Sequence, residues 1–340
     1  VGTFEELDHD GHEQVVFCRH QPSGLRAIVA LHSTALGPAL GGVRFKPYAS
    51  DDDALRDVLR LSHGMTYKNA AAGLDLGGGK AVIVGDPRAL RSEALLRAYG
   101  RFVHGLGGRY LTAEDVGTTI DDMAVIRRET PYVTGTATEL GGSGDPSPAT
   151  AVGVLHAMRA AAEHLWGHDD LTGRHVVVSG VGKVGGALAG HLAQAGAKVT
   201  VADVDADRVE AVADAIGADI VAAGEAHTIP CDVFAPCALG AVLTSATIPT
   251  LRCAAVVGAA NNQLGEEADA ERLADAGITY VPDFVVNAGG VINIAEELRG
   301  YDRDRALHAV GAIRQTAANV LRTAAAEGIT TEAAANRIAE

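Results

Sequence analysis

The stretch from His175 to Asp203 constrains this chain more than any other. His175–Ser179 has the composition of a strand, GVGKVG fills 180–185, a helical pattern covers Ala187–Gln194, and a second strand follows at Lys198–Ala202. Strand, glycine turn, helix and strand in that order make one crossover unit of a parallel sheet. Gly180 permits the tight turn, Gly182 lets backbone approach a pyrophosphate, and Gly185 lets the helix pack on the sheet. The positive end of the helix then faces the phosphate charge. Asp203 closes the second strand, about where a carboxylate accepts hydrogen bonds from the adenosine ribose. Asp205 and Asp207 add negative charge and only Arg208 offsets it, so the expected cofactor is NAD and not NADP.

Later apolar stretches at Val233–Ala235, Ala255–Val257 and Tyr280–Val281 continue the alternation and predict a mainly parallel, doubly wound sheet. A chain of 340 residues exceeds what one hydrophobic core usually serves. The expected fold class is α/β in two domains: an N-terminal α/β substrate and oligomerisation domain over 1–140, and a Rossmann NAD-binding domain over 141–300, with a cleft between them. Gly, Ser and Pro cluster in GGSGDPSPAT, 141–150, which predicts a hinge. Helices over 301–340 are expected to pack back across it. Within the first domain the sequence predicts a strand in 24–31, a loop at GPALGG (37–42) and a helix over Asp52–Met65. Glycines at 77–79 should then interrupt the pattern before a short strand, Ala81–Val84, and a helix over Ser92–Leu106.

Charge and composition exclude several partners. A net charge of −15 without clustered Lys and Arg argues against nucleic acid and anionic membranes. No stretch reaches the roughly 20 uninterrupted apolar residues of a membrane span, and Val1-Gly2-Thr3-Phe4 lacks the basic and apolar character of a secretory signal, so a cytoplasmic location is expected. Cys18, Cys231, Cys237 and Cys253 show no CxxC spacing and read as idle thiols. His9 and His12 sit among acidic residues and read as a solvated loop. No metal is expected.

Two lysines stand in unusual company. Lys68 in MTYKNA falls just after the predicted helix, and Lys80 follows three glycines and precedes an apolar strand. Desolvation and a neighbouring cation both disfavour a protonated amine, so one of two such lysines can hold a carboxylate while the other serves as a base. Taken alone, both motifs also fit surface lysines in loops. TAEDVGTT places Asp115 after Tyr110–Leu111, and AANNQL places Asn261 and Asn262 after an apolar strand, where parallel sheets present ligand-binding groups.

GPALGG, MTYKNA, GGGKAVI, TAEDVGT, GDPSPAT, GVGKVG, APCALG, GAANNQL and VVNAGGVINIAEEL, in this order from about residue 10 into the C-terminal helices, closely resemble the amino-acid dehydrogenase family of the leucine, valine and phenylalanine enzymes. The resemblance implies NAD-dependent oxidative deamination of an amino acid to its 2-oxo acid and ammonium, and the reverse reaction. It assigns Lys80 as the catalytic lysine and Asp115 as the acid working with it. Lys68, helped by backbone at Gly41 and Gly42 and by Asn261, would hold the substrate carboxylate, and Asn262 would lie near the amino group and the nicotinamide. Leu40, Met65, Ala113, Val291 and Ile294 map to the side-chain pocket. Ser147, Thr150, Gly180, Gly182, Lys183, Val184, Gly185, Asp203, Ala238 and Asn262 map to the cofactor. Ala113 with Val291 resembles the branched-chain enzymes more than the phenylalanine enzymes, which tend to carry Gly at the former; GHEQVVFC, STALGPALGGVRF and HLWG look closest to the valine enzymes, and the choice among valine, leucine, isoleucine and phenylalanine stays open. The family forms closed homo-oligomers, which is the expectation here. A hydroxy-acid dehydrogenase would want a His acid/base and an Arg in place of the two lysines, and a silent NAD-binding sensor would be expected to lose Lys80 or Asp115.

Overall fold

The computed structural model describes residues 11–238 and 240–340, and the chain separates into two compact units. The first comprises 1–145 and 294–303, the second 146–293 and 304–340. Neither unit is contiguous: the short segment 294–303, which spans the expected boundary at 300 between the NAD-binding domain and the C-terminal helices, clusters with the first unit.

In the first unit five strands form one sheet: β1 (Gln14–His20), β2 (Leu25–Ser33), β3 (Ala39–Lys46), β4 (Gly77–Val84) and β5 (Tyr110–Glu114), in the order β1-β2-β4-β3-β5. The β3–β4 and β3–β5 pairs are parallel, and β1 and β2 complete an antiparallel edge. Helix α1 (Asp51–Ala71) covers one face. It starts with the Ser50 side chain accepting from the Asp53 N–H and three aspartates in its first turn, which suits the positive end of the helix dipole. Its apolar side, Ala54, Leu55, Val58 and Leu59, packs on Ile28, Ala30 and Val82. Residues one position along the same strands, Ala27, Val29, Ala81 and Ile83, point to the opposite face and pack with residues of helices α2 (Glu93–Gly105) and α3 (Ile120–Arg127), as the two-residue period of a strand requires.

Three expectations give way here. GPALGG is not a loop: Ala39–Gly42 opens β3, and Gly77–Gly79 opens β4 instead of interrupting it. Glycines read as breaks, but here they are strand residues that let neighbouring backbones approach. Helix α1 also runs six residues beyond Met65, so Lys68 lies within its last turn and not after it.

The second unit holds a six-stranded, all-parallel sheet: β6 (His175–Ser179), β7 (Lys198–Ala202), β8 (Asp219–Ile220), β9 (Val233–Pro236), β10 (Ala255–Val256) and β11 (Thr279–Tyr280). Their order, β11-β10-β9-β6-β7-β8, has the strands spread outward from β6 in both directions. That is the doubly wound Rossmann arrangement, whose switch point lies between β6 and β9. Its helices include α4 (Ser147–Trp166), α5 (Lys183–Gln194), α6 (Ala206–Ile216), α7 (Asp269–Asp275), α8 (Gly289–Ala295), α9 (Arg303–Val310), α10 (Ile313–Glu327) and α11 (Thr331–Ala339), of which α8 and α9 start or end at the passages between units. Helix α10 lies against α4, where Arg314 meets Glu163 at 2.9 Å. A side chain at Gly153 of α4 would come within 2.7 Å of Ile313. No helix among the described residues is long and apolar enough to cross a membrane.

The turn after β5 depends on one glycine. Gly117 has φ +82°, and an added Cβ would lie 1.8 Å from the Phe45 carbonyl oxygen. Gly117→Ala is therefore expected to cost about 2–4 kcal/mol, measurable as a lower urea midpoint, because both the backbone conformation and the contact resist a side chain.

Candidate active site

Lys80 leaves the middle of β4 and is only 6% exposed. Its Nζ lies 3.2 Å from Oδ2 of Asp115, the residue that immediately follows β5. The approach is possible because the positions beside it on β3 and β4 are glycines. An added Cβ at Gly41 would sit 1.8 Å from the Gly79 carbonyl oxygen, at Gly78 2.1 Å from Thr66 backbone, and at Gly42 2.9 Å from Cβ of Asp115. Buried Asn69 in α1 closes the arrangement, donating to the carbonyls of Gly77 at 2.6 Å and Leu40 at 3.3 Å. Thr118 sets Asp115 in place: its hydroxyl accepts from the Asp115 N–H at 2.9 Å and lies 2.9 Å from the carbonyls of Val43 and Asp115.

Asp115 carries a second cation. Arg44 Nε donates to the same Oδ2 at 3.0 Å, while its Nη1 reaches Asp57 of α1 at 3.1 Å. Asp57 in turn accepts from the Tyr48 hydroxyl at 2.8 Å and pairs with Lys46 and Arg60. Burial alone would raise the Asp115 carboxyl, but the charges of Lys80 and Arg44 outweigh it and hold it below the ordinary carboxylate range. Asp57 follows the same logic, with burial opposed by the Tyr48 hydrogen bond and the charges of Arg44 and Lys46. The sequence reading missed Arg44, Asp57 and Asn69. Arg44 alternates with Gly42 along β3 and so faces the Asp115 side of the sheet, which is the signal that could have found it.

Met65 and Lys68 lie three residues apart on α1, and Met65 Cγ comes within 3.3 Å of where a Gly41 Cβ would stand. Leu40 is fully buried on β3. Ala113 of β5 and Ile294 converge on Gly135: a Cβ built there would lie 4.0 Å from Ala113 Cβ and 3.8 Å from Ile294 Cγ2. Glu297 pins that segment, accepting from the N–H groups of Gly135 at 3.0 Å and Ser143 at 2.7 Å.

In the second unit Gly180 takes φ +99° and stacks its backbone on Ala238, since an added Cβ would meet that residue at 2.6 Å. A Cβ on Gly185 would lie 1.9 Å from the Gly180 carbonyl oxygen, so the third glycine does let helix α5 close on the loop. Gly182 caps α5 with no side chain, and a Cβ there would touch nothing within 4 Å. A flat glycine surface at the positive end of a 12-residue helix, Lys183 and Val184 in its first turn, fits a dinucleotide pyrophosphate. Asp203 follows β7 and accepts from the N–H of Val181 at 2.7 Å and of Asp205 at 3.0 Å. Burial opposes these hydrogen bonds, yet they and Arg208 keep its carboxyl below the usual range.

Asn262 has φ +51°, one of two non-glycine residues among those described in the left-handed region, and its carbonyl accepts from the N–H of the other, Ala241, at 2.6 Å. Strain of this kind is typical of ligand-binding positions. Asn261 Oδ1 accepts from Asn287 Nδ2 at 2.9 Å. Buried Gln263 donates to the carbonyls of Gly258 at 2.7 Å and Ala260 at 3.0 Å, fixing the same loop. Asn287 and Gln263 were also missed. Ser147 and Thr150 open α4, where Thr150 lies against Gly290, and buried Val291 is next on α8.

His9 lies outside the described residues. His12 is not in a solvated loop: its Nε2 lies 2.9 Å from Ser62 Oγ, and its ring packs edge-on against His32. All four cysteines are free, and burial raises each thiol, Cys231 to about 12.

A glycine-lined dinucleotide loop on one unit and a buried lysine paired with aspartate on the other are the parts that a pyridine-nucleotide-dependent dehydrogenase requires. Comparison with known proteins narrows the class. Residues 12–132 match the family model described as the Glu/Leu/Phe/Val dehydrogenase dimerisation domain, and residues 141–220 and 204–339 match the Glutamate/Leucine/Phenylalanine/Valine dehydrogenase model. Leucine dehydrogenase of Bacillus cereus is 51% identical over 99% of this chain and 92% of its own length. Valine dehydrogenase of Streptomyces virginiae is 53% identical over 99% of this chain and 95% of its own. The crystal structure of L-tryptophan dehydrogenase from Nostoc punctiforme superposes with a TM-score of 0.87 at 44% identity, covering 99% of this chain and 97% of that one. The chain belongs to the Glu/Leu/Phe/Val dehydrogenase family and is an amino-acid dehydrogenase.

The depressed carboxyls of Asp57 and Asp115 make a pH prediction. A lowered folded-state pKa contributes stability that is full above the unfolded-state value near ~4 and disappears as pH falls through the lower folded-state value. The urea midpoint is expected to drop between about pH 5 and pH 3, and to drop less steeply in Asp57→Asn, which has no such proton to take up.

Proposed function

We propose that the protein catalyses the reversible NAD-dependent oxidative deamination of a branched-chain aliphatic L-amino acid to the 2-oxo acid and ammonium. The observation that carries this reading is buried Lys80 meeting Asp115 at 3.2 Å above a floor of glycines. Such an amine is shielded from bulk water and has a proton partner at hydrogen-bond distance.

The residue roles follow position by position. Lys68, with backbone at Gly41 and Gly42 and with Asn261, holds the substrate carboxylate. Asn262 orients the amino group. Bound nicotinamide supplies the acceptor for the hydride that leaves Cα. Lys80 takes a proton from the water that attacks the iminium carbon, and Asp115 exchanges protons with Lys80 as the carbinolamine collapses to 2-oxo acid and ammonium. Leu40, Met65, Ala113, Ile294 and Val291 are assigned to the substrate side chain. All five are apolar, so a second substrate carboxylate would be left unpaired at high cost. The names of the leucine and valine relatives, at 51% and 53% identity, support an aliphatic branched side chain.

Gly180, Gly182, Lys183, Val184 and Gly185 cradle the pyrophosphate, Asp203 takes the ribose hydroxyls, and Ser147, Thr150 and Ala238 line the remaining cofactor contacts. Asp203 supports NAD over NADP, because a 2′-phosphate beside it would face an ionised carboxylate, and Arg208 is already 3.0 Å from Asp205. We further infer a cytoplasmic homo-oligomer. The match of residues 12–132 to a dimerisation domain supports self-assembly, and the free thiols suit a reducing compartment.

The test follows NADH formation at mildly alkaline pH with L-valine, L-leucine, L-isoleucine, L-phenylalanine, L-glutamate and L-lactate, and repeats the best substrate with NADP. Reduction should be fastest with a branched aliphatic amino acid and NAD, and Lys80→Ala should lower kcat at least about 100-fold. Preference for phenylalanine would keep the chemistry and overturn the pocket reading. Near-normal turnover by Lys80→Ala, or activity on lactate alone, would sink the mechanism. Asp203→Ala should raise KM for NAD about tenfold with a smaller effect on kcat, since a lost hydrogen bond to a charged group is worth about 1.5–3 kcal/mol.

A further inference from the structure

We propose that Arg44 is a positioning residue for this reaction, holding Asp115 over Lys80 while preventing the carboxylate from closing into an exclusive ion pair with the lysine. The inference rests on the role assigned above to Lys80. Both cations converge on one oxygen: Arg44 Nε lies 3.0 Å and Lys80 Nζ 3.2 Å from Oδ2 of Asp115. A buried carboxylate with a lysine as its sole partner would favour the protonated amine, the form unable to accept a proton from water. A guanidinium stays charged throughout the working pH range, so sharing the oxygen weakens the hold of Asp115 on the lysine proton. The arginine cannot swing aside, because its other end is tied to Asp57 at 3.1 Å, and Asp57 is itself held by Tyr48 at 2.8 Å.

Other charged groups bear on this arrangement. Lys46 at 3.5 Å and Arg60 at 3.2 Å share Asp57, so its negative charge is largely spent before it reaches Asp115. Lys68 stands on the same helix as Asp57, nearer its C-terminal end. Tyr110, buried beneath β3, donates its hydroxyl to the Gly41 carbonyl at 2.6 Å, and burial together with the Asp115 charge keeps it un-ionised. Arg44 thus bridges Asp115 and Asp57.

The experiment measures kcat and KM of the full-length enzyme against pH for Arg44→Gln, Arg44→Lys and Asp57→Asn, with NAD saturating. Arg44→Gln is expected to lower kcat about 10- to 100-fold and to move the acid limb of its pH profile upward by about one unit. KM for the amino acid should change less than about threefold, since the carboxylate contacts assigned to Lys68 are intact. Arg44→Lys should restore most of the limb position, and Asp57→Asn, which leaves the Arg44 charge in place but loosens its far end, should give a smaller rate loss with the limb nearly in place. A rate loss in Arg44→Gln without a moved limb would reduce Arg44 to a scaffold residue and overturn the proposal, as would unchanged kcat. If Arg44→Gln does not fold, the Arg44→Lys and Asp57→Asn profiles decide: normal rates in both overturn the proposal. Lys80→Ala separates the two readings. If it is inactive while the Arg44→Gln limb stays put, only the role of Arg44 fails; if it is active, the assignment beneath fails.

Discussion

The Oδ2 oxygen of Asp115 is the point to which the first unit is drawn. Strand β4 sends Lys80 to it, β3 sends Arg44, and the turn after β5 delivers the carboxylate itself. Two cations sharing one largely buried carboxylate oxygen repel each other and lose hydration, so each needs further partners to hold it there. Asp57 anchors Arg44 from helix α1, and the glycine floor lets backbone and helix close over Lys80. Much of the local sequence follows from this need. Gly41, Gly42 and Gly78 are where side chains would collide, and Asn69 is buried because the carbonyls of Leu40 and Gly77 need a donor.

The second unit solves a different problem with similar means. Its glycine loop is open at Gly182, where a Cβ would meet nothing, and tight at Gly185, where α5 closes on the Gly180 carbonyl. Asp203 is held ionised chiefly by the backbone N–H groups of Val181 and Asp205. The Asn261–Asn262 turn is braced by Asn287 and Gln263, which hold Asn262 in a conformation costly for most residues.

How much of this was legible in the sequence depended on whether a motif was local. The GVGKVG unit could be read because strand, turn and helix follow one another and the period changes from two to 3.6 at the glycines. Strands β6 and β7 accordingly appear at the residues expected. GPALGG and Gly77–Gly79 were misread because a glycine that admits a neighbouring chain looks, in one dimension, like a glycine that breaks a strand. Lys68 was placed after its helix because the apolar spacing fades beyond Met65, where the helix is held by buried Asn69 and not by a hydrophobic stripe. Arg44 shares a strand face with Gly42, but its pairing with Asp57 was not legible, because the two meet only when β3 is set beside β5 and under α1.

The return of Ile294–Arg303 to the first unit sets the order in which this chain can mature on the ribosome. Ile294 beside Gly135, and Glu297 on the N–H groups of Gly135 and Ser143, complete that unit from the far side of roughly 150 intervening residues. At translation rates of about 5–20 residues per second, the segment emerges roughly 8–30 s after Ser143 has left the tunnel. Until then the last loop of the first unit lacks its carboxylate clasp, so the nascent N-terminal half must wait, incompletely satisfied, for the nucleotide-binding sheet to be made. The two halves of the gene product are therefore bound into one birth sequence, and an N-terminal fragment ending near Asp145 would be born without the residues that finish it.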